Sequence, residues 1–270
     1  METSGTEPVL LAVEAGVATI TLNRPERRNA LSLASAERLH GLWETLDHHP
    51  GVRVIILTSA DCGTFCAGMD LKEAAEVQAR EGVDILSRMR DPFYERMRAV
   101  AKPIIAAMTG HFTAGGMVLA LNADVRIGLH GTKGGITEAR IGRGSPWAVP
   151  LAWMLPQPVL MEMILTGEMV DVERLHALGF VNHLEDTPDA VRARALSIAH
   201  RIRDNAPLSV LAGKQTVRTA ISLGCDAGFE AAKNLYRPVY SSGDAQEGPR
   251  AFAEKRPPRW TGIPGPVTAG

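Results

Sequence analysis

Two glycine-bearing turns, Phe65-Cys66-Ala67-Gly68-Met69-Asp70 and Thr113-Ala114-Gly115-Gly116-Met117, stand 47 residues apart. Each follows an apolar run rich in β-branched residues, at 52–57 and 102–108, and each precedes a segment that reads as helix. Backbone N–H groups at a helix start lack intrahelical acceptors and carry the positive end of the helix dipole. Two such turns side by side would aim two N–H groups at one oxygen. That is an oxyanion hole, and it suggests chemistry on an activated carbonyl such as a thioester.

The elements needed to position the turns alternate strand and helix. Gly16 to Leu22 alternates like a half-buried strand and stops at Asn23-Arg24-Pro25. Ser32 is placed to cap a helix to about His48, with Leu39, Leu42, Trp43 and Leu46 on one face. A strand at 52–58, the first turn, and helical segments near 70–80 and 84–101 follow. A strand at 103–108, the second turn, a helix near 116–122 and a strand at 124–129 repeat the cycle. Parallel strands joined by right-handed crossovers are expected, and the spacing of about 50 residues suggests successive turns of a superhelix.

Beyond about residue 146 the pattern is helical. Asp171 and Gly179 bracket a short helix, with Asp171 as its cap. Pro188 suits the first turn of a helix to about Asp204, another helix spans Pro207–Leu223, and more helix follows Asp226. A boundary near 204–207 divides a core, 1–204, from a C-terminal helical region, 205–270.

Composition sets wide limits. A chain of 270 residues buries one large core, and a formal net charge of −1 gives no reason to expect nucleic acid or an anionic membrane. The most apolar stretch, 146–165, holds four prolines and Glu162, which argues against a spanning helix. The start, Met1-Glu2-Thr3-Ser4-Gly5, lacks the pattern of a signal peptide. Cys62, Cys66 and Cys225 make no disulfide framework, and the Cys62/Cys66 pair has no further cysteine nearby to complete a metal site. No metal and a cytoplasmic setting are expected.

Five stretches in order resemble the crotonase superfamily, the enoyl-CoA hydratase/isomerase family, from Val17 to about Trp260. They are Asn23–Leu31, Phe65–Lys72, Gly110–Asp124, Leu165-Thr166-Gly167 with Ala177–Asn182, and Glu247-Gly248 with Phe252–Arg256. The resemblance implies an α/β crotonase-like (ββα) superhelical core with a C-terminal helical trimerisation region. It implies an acyl-CoA substrate, coenzyme A entering only as part of that substrate, and a homotrimer or homohexamer. The core, 1–204, would carry the CoA site and the oxyanion hole.

Carried over residue by residue, the resemblance makes the N–H groups of Met69 and Gly115 the oxyanion donors. Carbonyls near Ala67 would hold the adenine and the segment around Ala30 the pantetheine. Arg28 and Lys72 fall where basic residues meet CoA phosphates, with a solvated surface role as the alternative. Phe252 and Lys255 match residues that close over the nucleotide, often from a neighbouring subunit. Hydratases of the family hold water between two glutamates. The second position is Glu138, whose pKa an apolar pocket would raise. The first is Val118, and that departure argues for double-bond isomerisation over hydration.

Alternatives remain open at this point. His111, Asp70 or Glu73 could replace the missing glutamate, and Glu138 could be a surface acid paired with Arg140 or Arg143. Asp124 is expected to tie down loop backbone. Trp147, Trp153 and Met154 fit either a pocket wall or core packing. A CoA-thioester or C–C hydrolase, or a non-catalytic acyl-CoA binding protein, would share the scaffold.

Overall fold

A computed structural model describes residues 7–265. The Met1–Gly5 start and the last five residues of the Pro/Gly-rich tail lie outside them. Two compact units are present. One comprises the residues up to Val100 with Ile104–Ala199, and the other comprises Ala101–Pro103 with the residues from His200 on.

The first unit opens with β1 (Val9–Glu14), β2 (Val17–Leu22), α1 (Leu33–His48) and β3 (Val54–Ser59). The Ser32 hydroxyl caps α1 by accepting the Ser35 N–H at 3.1 Å. Leu39, Leu42, Trp43 and Leu46 form the buried face of α1, as their spacing requires. β4 (Thr64–Cys66) and α2 (Leu71–Glu81) follow, then a short α3 (Glu95–Ala99) and β5 (Ile104–Met108). β6 (His111–Thr113), α4 (Gly115–Asn122), β7 (Val125–Leu129) and β8 (Lys133–Gly135) complete the repeat.

The unit continues with α5 (Gln157–Thr166), β9 (Met169–Asp171), α6 (Val172–Ala177), β10 (His183–Glu185) and α7 (Pro188–Arg203), whose last turn belongs to the other unit. A six-stranded sheet runs β1-β2-β3-β5-β7-β10, parallel from β2 onward, with β1 antiparallel to β2. A smaller sheet, β4-β6-β8-β9, is parallel except for its last pair. Each turn of the superhelix therefore sends one strand to each sheet before its helix. β3 and β5 are buried throughout, because parallel strands are covered on both faces. The third turn follows after a much shorter interval than 50 residues, β7 starting at Val125 against Ile104 for β5.

Three expectations change. The 84–101 segment is not one helix: the Asp91 side chain accepts from the N–H groups of Phe93, Tyr94 and Arg96, and α3 is only five residues long. Asp91 and Pro92 act as a helix stop and restart. The region after 146 is not purely helical, since β9 and β10 add to the edges of the two sheets. Asp171 does not cap α6 with its side chain, which pairs instead with Lys133 at 3.0 Å.

The second unit is helical: α8 (Pro207–Leu223), α9 (Cys225–Tyr240) and α10 (Asp244–Ala253). No helix among the described residues is long and apolar enough to cross a membrane.

Candidate active site

The two glycine turns meet. A Cβ added to Gly68, whose φ is +89°, would lie 2.8 Å from the Ala114 Cβ and 3.0 Å from the Gly115 nitrogen. A Cβ on Gly116 would come 2.2 Å from the Cys66 carbonyl oxygen. Only glycine allows this approach. Ala114 takes up the remaining strain, with φ 49° and ψ −119°, a conformation that non-glycine residues seldom adopt. Its N–H is fixed to the Gly135 carbonyl at 3.1 Å.

The first turn is braced from outside by the Asn23–Leu31 segment. The Leu31 N–H donates to the Gly68 carbonyl at 2.7 Å, and the Asp70 N–H donates back to Leu31 at 3.0 Å. Buried Asn29 donates to the carbonyls of Ala60 and Thr64, and Arg24 reaches the Ala30 carbonyl and the Asp70 carboxylate, each at 2.8 Å. Burial pushes the Asp70 carboxyl up, but Arg24 and the N–H groups of Glu73 and Lys72 outweigh it and hold it below its ordinary value. Arg24, Asn29 and Asp70 are thus a support for the turn. Their spacing in sequence, 23–31 against 60–70, gave no sign of that pairing.

With the turns locked, neither the Met69 nor the Gly115 N–H donates to another group among the described residues. Both residues line a cavity of about 450 Å³, with Leu31, Phe93, Val118 and Trp147 among its apolar walls. Gly115 opens α4, whose eight residues are all buried, so the helix dipole adds to the field at its start. Two unpaired donors in an apolar cavity are suited to stabilising negative charge on a carbonyl oxygen.

Glu138 lines the same cavity from a four-residue 3-10 turn and is 8% exposed. Its Oε1 accepts the Trp147 indole N–H at 3.0 Å, and its Oε2 is buried without a hydrogen-bond partner among the described residues. Burial dominates and pushes its pKa above the ordinary glutamate value, against smaller opposing hydrogen bonds. The pairing with Arg140 or Arg143 is corrected: Arg143 binds Asp84, and Arg140 approaches Glu168 at 3.8 Å.

Val118 is wholly buried on the cavity wall. The three candidates to replace a carboxylate there do not line the cavity. His111 Nδ1 accepts the Lys133 N–H at 2.9 Å, Asp70 caps α2, and Glu73 accepts the Leu33 N–H at 3.0 Å. Glu138, Arg140 and Arg143 are the charged residues on its lining.

Of the other expected residues, Ala67 lines the cavity and donates its N–H to the Arg28 carbonyl at 3.2 Å. Ala30 is buried, and the side chains of Arg28 and Lys72 are exposed off the lining. Phe252 and Lys255 lie exposed on the second unit. Asp124 holds β5 by accepting the Ile104 N–H at 2.7 Å. Trp153 is 61% exposed and Met154 packs on the core, leaving Trp147 as the tryptophan on the cavity wall. No group of three or more His, Cys, Asp or Glu side chains suited to a metal occurs among the described residues. Burial pushes the Cys66 thiol up to about 12, so it is no nucleophile at neutral pH.

A crotonase-type core bearing paired N–H turns over an acyl-sized cavity defines a class. The enoyl-CoA hydratase/isomerase family model matches residues 12–263, and the chain belongs to that family, which acts on CoA thioesters. It is 35% identical over 266 residues to (E)-benzylidenesuccinyl-CoA hydratase of Thauera aromatica, covering 94% of this chain and 99% of that protein. It is 34% identical over 247 residues to an enoyl-CoA hydratase of Mycobacterium tuberculosis, covering 89% and 91%. A crystal structure of enoyl-CoA hydratase from Mycobacterium tuberculosis superposes with a TM-score of 0.85 at 35% identity, covering 96% of this chain and all of that one.

Proposed function

We propose that this protein transfers a proton between carbons of an enoyl-CoA thioester, shifting its double bond through an enolate. The N–H groups of Met69 and Gly115 hold the thioester oxygen, and Glu138 is the acid/base. The observation that supports this reading most is the pairing of two unpartnered N–H donors with one buried carboxyl group in a single apolar cavity. A desolvated carboxyl of raised pKa suits proton exchange near neutrality. With Val118 at the other position, no second carboxylate lines the cavity among the described residues to activate water.

Carbonyls near Ala67 would receive the adenine and the segment around Ala30 the pantetheine, with Arg28 and Lys72 near the phosphates and Phe252 and Lys255 of a neighbouring subunit closing over the nucleotide. Coenzyme A enters with the substrate, and no permanent cofactor is required. Incubation with a 3-enoyl-CoA, crotonyl-CoA and a saturated acyl-CoA, followed by mass spectrometry and chromatography, tests the reading. Bond migration without mass change supports it. Free CoA would indicate a hydrolase, and no reaction at all a binding protein.

Hydration is the second reading, favoured by the hydratase names of both relatives. Its mark is the gain of one water by crotonyl-CoA.

The same reading includes a homotrimer or paired trimers. Val217, Phe229, Tyr240 and Phe252 on the second unit are each more than 60% exposed, apolar side chains that assembly would cover. Light scattering at micromolar concentration should return three or six times the 29.0 kDa chain mass, and a compact monomer would contradict assembly.

A further inference from the structure

The two oxygens of Glu138 have unlike surroundings. Oε1 takes the Trp147 indole N–H at 3.0 Å, while Oε2 is shielded from water and free of any hydrogen bond among the described residues. The charged neighbours on the cavity lining, Arg140 and Arg143, are both engaged elsewhere, Arg143 with Asp84 of the facing loop and Arg140 near Glu168. Among the described residues Trp147 is therefore the one side chain that hydrogen-bonds this carboxyl group, beside the backbone N–H groups of Glu138 and Thr137.

Both ends of that contact are anchored. Behind Glu138, the Arg143 N–H donates to its carbonyl at 2.9 Å, and Gly142 ends the turn in the left-handed region. Trp147 sits in a second 3-10 segment, Pro146–Trp153, opened by Pro146 and pinned by buried Ala148 and Leu151. That anchoring holds the Trp147 backbone opposite Glu138, and the indole hydrogen bond sets the side chain against Oε1.

We propose that Trp147 is a positioning residue for proton transfer: by holding Oε1 it leaves Oε2 to carry the travelling proton. The proposal rests on the reading of Glu138 as the acid/base. In that step Oε2 takes the C2 proton, and the C–H electron pair moves into the enolate whose oxygen the two N–H donors hold. The proton returns from Oε2 to C4 as the C3–C4 double bond shifts to C2–C3. Nothing is oxidised or lost.

The chemistry of the donor matters. A guanidinium or ammonium on Oε1 would hold Glu138 ionised and reduce its basicity. An indole N–H is a neutral donor that cannot accept or titrate. It fixes geometry while the desolvated site keeps the carboxyl basic.

The test uses the full-length chain carrying Trp147→Phe, Trp147→His and, as reference, Glu138→Gln, with double-bond migration measured across pH. Trp147→Phe should lower kcat by about 10- to 100-fold, with KM within about twofold. Its acidic limb should move to higher pH, since the lost donor had favoured the ionised form. Trp147→His retains a ring N–H and should recover part of kcat. If Trp147→Phe does not fold, the benzothienyl analogue of tryptophan at 147 keeps the ring without the N–H and gives the same readout. Unchanged kcat and pH profile, or a loss confined to KM or melting temperature, would overturn the positioning role and leave Trp147 a wall residue. Wild-type turnover in Glu138→Gln would instead overturn the reading of Glu138 itself.

Discussion

The two walls of the cavity solve different problems. The wall formed by Ala67–Met69 and Ala114–Val118 offers backbone N–H groups, fixed dipoles that do not titrate, and Gly115 places one of them at the start of a helix buried along its whole length. The wall at Thr137–Trp147 offers the one carboxyl group, whose proton affinity burial raises against the Glu138 and Thr137 backbone N–H groups and the Trp147 indole. The first depends on backbone atoms packed closer than a methyl group allows, and the second on side chains held by 3-10 turns. Substitutions should therefore act through geometry on one wall and through protonation on the other.

The largest effect is expected where the turns touch. Gly68→Ala places a methyl group 2.8 Å from the Ala114 Cβ and requires alanine at φ +89°. Prising the donors apart should cost about 10²–10³ in kcat, together with about 1–3 kcal/mol of stability. Steady-state kinetics and denaturant melts measure both. A variant with wild-type kcat would show that the contact does not set the donors.

Val118→Glu moves a titratable group onto the backbone wall and should blur the contrast. The ratio of hydration to bond migration should rise by about tenfold, read by product mass. Because a carboxyl enters a fully buried site, the melting temperature should fall. An unchanged product ratio would mean that the missing glutamate does not select the reaction.

The smallest effect concerns stability. Burial raises the Glu138 pKa, so the favourable contribution of its neutral form is full at low pH and is lost as pH rises through the raised value. Glu138→Gln stays neutral at every pH. It should melt with wild type near pH 4 and above it, by roughly 2–4 °C, near pH 8. A constant difference across that range would contradict the sign of the shift.

The backbone wall was the more legible in sequence. β-branched runs before Gly68 and Gly115 marked the strands, and Ser32 marked the start of α1, because these signals are local. The short strands β9 and β10 were not visible, since three residues carry no period and pair only once both sheets exist. The break at Asp91-Pro92 was missed because an apolar helical pattern continues on both sides of it. Glu138 was reached through family resemblance. Its hydrogen bond to Trp147, nine residues on, depends on two successive 3-10 turns that no periodicity announces. The brace formed by Arg24, Asn29 and Asp70 is likewise a long-range feature, and Asp70 reads from sequence as a candidate for the missing glutamate's role instead.

The most direct test follows the proton itself. A 3-enoyl-CoA is turned over in D2O by wild type and by Glu138→Gln, with deuterium located in the product and the affinity for a saturated acyl-CoA measured in parallel. Wild type should migrate the double bond and deliver part of the C2 protium to C4, because one shielded carboxyl carries it. Glu138→Gln should bind the saturated acyl-CoA with unchanged affinity and lose about 10²–10⁴ in turnover. A Glu138→Gln enzyme that migrates the bond at the wild-type rate would contradict the account, as would a wild type that only adds water.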